Sequence, residues 1–291
     1  MLGFCILAPL GDSLAKLLGQ TLPLIVLLLA RFAIQAVVLF PLVWASKRNW
    51  RLSGRTLRLA WLRTVLHIIG IGAMFTALQY LPLADAVAIA FVMPFIMLIL
   101  GHYVLGEEIG LRRILACLVG FIGTLLVIQP AFEAVGWPAL LPLVVAVVFS
   151  LFMLVTRAMA KDVDPIGLQA VNGLMATGLL LPVMLLFSSS GWEMLNMRAP
   201  AGPEIPMLLA IGLIGTAAHL LMTWSLRYAP SATLAPMQYL EIPFATLIGW
   251  IIFTDLPNPL ASIGIIITIF SGLYIVMRER ATSRQAAAPA V

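Results

Sequence analysis

Long apolar stretches alternate with short segments rich in Pro, Gly and charged residues along the whole chain. A helix that crosses the ~30 Å hydrocarbon core of a bilayer needs about 20 residues, because each residue adds 1.5 Å. Applied to this chain, that length predicts ten membrane-spanning helices. The predicted spans are residues 2–18, 23–45, 61–80, 83–104, 111–130, 138–157, 165–187, 205–227, 231–253 and 258–277. The pattern therefore predicts an all-α integral membrane protein.

Composition supports a lipid environment. Of 291 residues, 62% are hydrophobic and 10% are charged, whereas soluble domains carry about 25% charged residues. The net charge of +5 does not indicate a nucleic-acid partner, because the basic residues form no patch with interleaved aromatics. No Gly-rich phosphate loop and no metal-type spacing of His or Cys is present, so we expect no cofactor and no bound metal.

The distribution of basic residues predicts the orientation, since cytoplasmic loops of membrane proteins are enriched in Lys and Arg. With a cytoplasmic amino terminus, 14 of the 17 Lys and Arg residues belong to inner segments, Lys16 and Arg198 are outer, and Arg31 lies within a span. The opposite orientation would invert this bias. We therefore expect a multi-pass protein of the cell inner membrane with both termini in the cytoplasm.

The two halves of the chain resemble each other. Tyr80-Leu-Pro-Leu-Ala-Asp-Ala lies 148 residues before Tyr228-Ala-Pro-Ser-Ala-Thr-Leu, and the same register pairs Gly101 with Gly249. Each half contains five predicted spans, so the second half inserts upside down relative to the first, which is common in secondary carriers. The expected domains are a first repeat at 1–130, a second at 138–277, and a disordered cytoplasmic tail at 278–291.

Several motifs carry a family resemblance. Those motifs are Arg63, Tyr80-Leu-Pro-Leu-Ala-Asp-Ala, Gly120-Phe-Ile-Gly123, Tyr228-Ala-Pro and Gln238-Tyr-Leu-Glu241. Together they resemble the drug/metabolite transporter superfamily, in particular its EamA-type ten-helix carriers, over nearly the whole chain. The Tyr-Leu-Glu sequence in the ninth span is similar to branches that include riboflavin and S-adenosylmethionine carriers. The resemblance implies two inverted EamA repeats and carriage of a small-molecule substrate.

The rare polar residues inside the spans are the candidate substrate ligands, because an ionised side chain in hydrocarbon needs a partner or a water-filled cavity. Glu241 is expected near the membrane midplane with Gln238 on the same helix face, and Pro236 and Pro243 bracket the two residues. Glu241 either binds substrate or a proton, or it is a structural partner for a buried arginine, for which Arg31 is the candidate.

Other candidates have a structural alternative. Asp12 either pairs with Lys16 one helical turn later or joins Arg31 and Glu241 in one polar cavity. His219 either contacts substrate or is a packing histidine with a hydrogen bond. The aromatic residues Tyr239 and Trp224 either stack on a flat ring or serve in packing and interface anchoring.

These patterns favour a secondary carrier that works by alternating access, and the family resemblance implies riboflavin uptake as its specific activity. The alternatives among carriers are S-adenosylmethionine transport and export of amino acids or drugs. An integral-membrane enzyme is the alternative from another class, but the sequence lacks the paired metal ligands or the nucleophile with its base that such enzymes need. A homodimer is also considered.

Overall fold

The computed structural model describes residues 1–105, 111–229, 234 and 237–286, and within these ranges the chain is helical, without a β-strand. The helices are α1 (Leu2–Leu18), α2 (Leu24–Ala45), α3 (Gly54–Ala77), α4 (Leu83–Ala90), α5 (Met93–Leu105), α6 (Leu111–Val135), α7 (Leu141–Met159), α8 (Pro165–Phe187), α9 (Glu204–Tyr228), α10 (Glu241–Phe253) and α11 (Pro259–Ala286). Short 3₁₀ turns at Trp137–Leu140 and Glu193–Leu195 complete the described elements.

Seven helical segments of the described chain are long and apolar enough to cross a membrane. They are Leu24–Ala45, Gly54–Ala77, Leu83–Val104, Ile114–Val135, Trp137–Met159, Pro165–Phe187 and Glu204–Tyr228. α10 and the first part of α11, Pro259–Tyr274, are shorter apolar helices, and α1 contains 17 residues. The prediction of an all-α membrane protein is confirmed.

Among the uninterrupted spans, two helix boundaries differ from the predicted ones by seven residues or more. α3 begins at Gly54 instead of residue 61, and there the amide of Ser53 donates to Thr56 Oγ1 at 3.3 Å, which satisfies a backbone group at the helix start. α11 continues to Ala286, so residues 278–286 of the predicted disordered tail are helical. That segment consists mainly of Arg, Glu, Gln and Ala, which favour helix.

The packing of the helices repeats between the two halves. α2 packs on α8 and α6 packs on α11, while α3 packs on α7 and α1 packs on α9. If the halves are exchanged, so that α1, α2, α3 and α6 correspond to α7, α8, α9 and α11, the first two pairs map onto themselves. The α3–α7 pair then maps onto the α9–α1 pair. The fold is therefore built from two equivalent five-span repeats, as the sequence predicted.

The fourth and ninth spans are both interrupted, and the interruptions are equivalent. A turn at Phe91–Val92 separates α4 from α5, and a turn at Tyr239–Leu240 precedes α10, so the two breaks are 148 residues apart. Pro94 and Pro243 follow the breaks and supply no amide hydrogen for the preceding turn. The rings of Phe91 and Tyr239 contact each other with their centroids 5.3 Å apart. Pro236 lies outside the described residues.

Candidate functional site

A cavity of about 80 Å³ lies between the two repeats and is lined by residues of α1, α2, α3, α4, α5, α7, α9 and α10. Its walls are mainly apolar, and four aromatic side chains belong to them. These are Phe4, Phe75, Phe91 and Phe149. The four ionisable residues of the lining are Asp12, Arg31, His219 and Glu241. The volume accommodates only a few water molecules, so a larger solute enters only when the surrounding helices move apart.

Glu241 is the first residue of α10, immediately after the break in the ninth span. The break starts a new half-helix at Glu241 beside the cavity, and the positive end of its helix dipole favours a carboxylate there. The side chain is 8% exposed and lines the cavity. The interrupted helix therefore explains how a carboxylate is tolerated at this depth.

Arg31 reaches the cavity from α2 and is 2% exposed. Its Nη1 donates to Gln35 Oε1 at 3.0 Å, one turn further along the same helix, and its Nη2 lies 3.1 Å from His219 Nδ1 on α9. Gly215 on α9 leaves the space that the guanidinium occupies, because a Cβ atom at that position would overlap Arg31. The guanidinium is thus fixed in the cavity wall by contacts from two helices.

His219 can satisfy only one of its two polar contacts at a time. Its Nδ1 lies 3.0 Å from the Gly215 carbonyl oxygen and 3.1 Å from Arg31 Nη2. The carbonyl accepts only from a protonated Nδ1, whereas the guanidinium donates only to an unprotonated one. His219 therefore combines the two roles considered from the sequence, since it lines the cavity and also packs against Arg31.

Lys16 does not form the pairing with Asp12 that the sequence allowed. Its Nζ binds Asp255 Oδ2 at 3.0 Å and the Leu81 carbonyl oxygen at 3.1 Å. Asp12 instead faces the same cavity as Arg31 and Glu241. Of the two sequence alternatives for Asp12, the structure agrees with a shared polar cavity.

The remaining candidates lie outside the cavity lining. Gln238 is fully buried, and its Nε2 lies 3.5 Å from Met153 Sδ. Tyr239 is 2% exposed and packs where Gly272 leaves room for its ring. Trp224 packs against the cluster that contains Leu39. The structure therefore brings together Glu241, Arg31, Asp12 and His219, and it places these three elsewhere.

A second polar group, centred on Arg63, was not singled out as a site from the sequence. Arg63 is fully buried on α3 and donates to Thr156 Oγ1 at 2.9 Å and Gln169 Oε1 at 2.6 Å. His67, one turn later, contacts Asn172 Oδ1 through Nδ1 at 2.8 Å. The Gln169 and Asn172 amides, three residues apart within an apolar span, were the sequence signal for this network.

Comparison with known proteins identifies the family. The model of the EamA-like transporter family matches the chain twice, over residues 1–129 and 136–278. A chain in a solved crystal structure, 19% identical in sequence, has the same fold with a TM-score of 0.71 over 96% of each chain.

Three curated relatives are transporters. A riboflavin transporter from Brucella anthropi is 26% identical over 91% of this chain and 92% of its own length. A riboflavin transporter from Rhizobium johnstonii is 26% identical over 77% of this chain and 72% of its own length. An S-adenosylmethionine uptake transporter from Rickettsia felis is 25% identical over 93% of this chain and 88% of its own length. Together with the two repeats, these matches show that the chain belongs to the EamA-like transporter family and is a membrane transporter and not an enzyme.

Proposed function

We propose that this chain is a riboflavin carrier that works by alternating access around the central cavity. The observation that supports this most directly is the character of the lining, where Phe4, Phe75, Phe91 and Phe149 surround a few polar groups. Flat aromatic solutes are bound by such walls through stacking and apolar contact, while a few polar side chains set their orientation. The names of the Brucella and Rhizobium relatives agree with this assignment.

The roles of the polar residues follow from their hydrogen-bonding capacity. Arg31 only donates, so it suits the carbonyl oxygens of the flavin ring. Glu241 only accepts when ionised, so it suits an imide hydrogen or the hydroxyl groups of the ribityl chain. We assign substrate contact to Glu241, Arg31, Asp12 and His219, whereas Gln238 and Tyr239 support the break that positions Glu241.

S-adenosylmethionine is the second candidate, and a specific observation favours it. Asp12 and Glu241 lie in the same cavity as the guanidinium of Arg31. This arrangement offers negative groups for a sulfonium or ammonium and a positive group for a carboxylate, so it suits a zwitterion. The Rickettsia relative has the corresponding name.

The test is solute entry into a bacterial strain without its own uptake routes, measured in parallel with labelled riboflavin and S-adenosylmethionine. We expect saturable riboflavin entry that falls at least about tenfold in Glu241→Gln, because loss of one charge-assisted hydrogen bond costs about 1.5–3 kcal/mol. The matched control is Glu193→Gln, the same chemical change at an exposed residue of the 3₁₀ turn at Glu193–Leu195.

Each outcome decides one point. Entry of S-adenosylmethionine alone would replace riboflavin by the second candidate. Equal entry of riboflavin in both variants, at matched membrane abundance, would remove Glu241 from the mechanism. Absence of entry for either solute in the unaltered protein would contradict uptake of both.

We also propose that the protein resides in the cell inner membrane with both termini in the cytoplasm. Arg63 is buried within α3 and no longer counts as an inner-loop residue, and the remaining bias of 13 Lys and Arg residues on the inner side against two on the outer side supports this orientation. A reporter that is active only in the cytoplasm, fused to the carboxyl terminus, would be active if the orientation is right and silent if it is inverted. The homodimer stays a prediction.

A further inference from the structure

Arg63 is a buried cation whose partners are all neutral. Its side chain is fully buried, its Nε donates to Thr156, and its Nη2 donates to Gln169 and lies 3.4 Å from Thr223 Oγ1. The guanidinium carbon lies 4.4 Å from the centre of the Phe152 ring. Within the described part of the chain, no carboxylate forms an ion pair with Arg63. The charge therefore lacks a counter-charge in a region without bulk water, where ions are stable only when they are paired.

The network around Arg63 also contains donors that lack an acceptor. Arg63 Nη1 and Gln169 Nε2 are both buried and have no hydrogen-bond partner among the described residues. Both are donors only. The orientation of the Gln169 amide is determined by the bond from Arg63, since only the oxygen of that amide can accept it. A ligand that supplies acceptor oxygens and a negative charge would satisfy both unused donors and compensate the charge of the guanidinium.

The network connects to the central cavity through two histidine rings. The rings of His67 and His219 lie 4.4 Å apart, and His219 lines the cavity. Arg63 lies about 13 Å along α3 from Gly54, which is the end of that helix predicted to be cytoplasmic. Along α3, Arg63 therefore lies between the cavity-lining Gly70 and the end predicted to be cytoplasmic.

We propose that Arg63, Gln169 and the adjacent hydroxyl groups form a second binding site, for a small anion of carboxylate type, beside the central cavity. The carboxylate of a transported zwitterion and a free inorganic or organic anion share this chemistry. Identification of the solute's carboxylate as the physiological ligand rests on S-adenosylmethionine, the second candidate under the proposed function, because riboflavin has no carboxylate. Binding of a small anion rests on neither candidate.

The test measures thermal unfolding of the purified full-length protein in sodium formate and in sodium gluconate at equal ionic strength. Formate presents a carboxylate small enough for a closed network, whereas gluconate carries the same group on a much larger body. We expect the unfolding midpoint to be about 2–5 °C higher in formate, because a ligand of the folded state raises its stability. Equal midpoints in the two salts would overturn the proposal.

Two variants assign the effect to the network. Gln169→Glu places a carboxylate against Arg63 with little change of shape, so it should fold and lose the formate dependence. Arg31→Gln alters the cavity and leaves Arg63 unchanged, so it should keep the dependence. Gln169→Glu with an undiminished formate response, or loss of the response in Arg31→Gln, would place the anion elsewhere and overturn the assignment.

Solute entry separates this proposal from the transport assignment. A formate effect in a protein that carries neither riboflavin nor S-adenosylmethionine would leave the anion site standing and reject the proposed function. Riboflavin entry in a protein whose unfolding midpoint does not respond to formate would support the proposed function and reject the anion site. If the protein has the anion site and carries S-adenosylmethionine, formate should also inhibit entry of S-adenosylmethionine more strongly in the unaltered protein than in Gln169→Glu.

Discussion

At the scale of single residues, the position of Arg31 depends on the absence of a side chain at Gly215. A methyl group there would overlap the guanidinium, and Arg31 is held at its other edge by Gln35. The cavity wall therefore depends on a glycine that itself makes no polar side-chain contact with a solute. Substitution of Gly215 changes the location of the positive charge without removal of that charge.

We predict that Gly215→Ala lowers riboflavin entry by about tenfold or more, because the displaced guanidinium loses its hydrogen bonds in the cavity wall. Initial rates at matched membrane abundance would measure this loss. Gly178→Ala on α8 is the matched control, since a Cβ atom there meets nothing within 4 Å. A rate for Gly215→Ala equal to that of the control would show that Arg31 does not bind the solute.

Some of the buried charges could be predicted from the sequence, whereas the burial of Arg63 could not. Arg31 and Glu241 were predicted because an isolated charge inside an apolar span is conspicuous. Arg63 was attributed to the inner segments, because α3 was expected to begin at residue 61 and not at Gly54. Its burial is produced by Phe152 and Gln169 of other helices, and such interhelical contacts are not encoded in the local pattern of one span.

At the scale of elements, α6 and α11 approach each other through glycine. A Cβ atom on Gly123 would lie 2.7 Å from the Gly264 carbonyl oxygen, and one on Gly264 would collide with the Gly123 carbonyl oxygen. Such backbone proximity allows van der Waals packing where lipid provides no hydrophobic drive between helices. These two helices correspond to each other in the two repeats, so their contact lies on the pseudo-symmetry axis.

We predict that Gly264→Ala destabilises the purified protein by about 1–3 kcal/mol, the usual cost of an added group in a closely packed interior. The nearest obstacle is the Gly123 carbonyl oxygen, which is backbone and cannot rotate away as a side chain can. Thermal unfolding in detergent would measure the change. Gly249→Ala is the control, since its nearest neighbours would lie at 3.7 and 3.8 Å; an equal midpoint in both variants would refute close packing at Gly264.

Element positions were largely predictable, and the prolines around Glu241 also indicated a bend in the ninth span, whereas the interruption of the fourth span was not foreseen. The ten apolar stretches agree with the helices to within a few residues at most ends, because hydropathy and length determine a span. The break in the fourth span was missed, although Pro94 stands near it, because prolines are tolerated inside membrane helices. Phe91 and Tyr239 meet across the repeats only in the folded structure.

At the scale of the whole molecule, Lys16 links the two repeats at one end of the cavity. The residue lies on α1, and its Nζ contacts Leu81 of the first repeat and Asp255 of the second. The side chains of Lys16 and Asp255 are 15% and 40% exposed, and ion pairs of this kind contribute about 0–1 kcal/mol. That amount is sufficient to change the balance between open and closed states by up to about fivefold.

We predict that Asp255→Asn increases access to the cavity from the side on which this ion pair lies, by up to about fivefold. Labelling of Ile71→Cys by a membrane-impermeant maleimide would report the access, with the two native cysteines replaced by alanine. The exchanged pair Lys16→Asp with Asp255→Lys should restore the slower labelling. Equal labelling rates in all three proteins would show that the ion pair does not hold this side closed.

The equivalent breaks have a consequence for how a solute passes through the protein. In the 148-residue register, Met93 occupies the position that Glu241 holds in the other repeat, and both residues line the cavity. The fourth and ninth spans can exchange roles between the inward-open and outward-open states. The carboxylate at this position cannot, because only the second repeat supplies it. We therefore expect a solute with two different ends to keep one orientation relative to the ninth span throughout the cycle, so that it travels through the bilayer without tumbling.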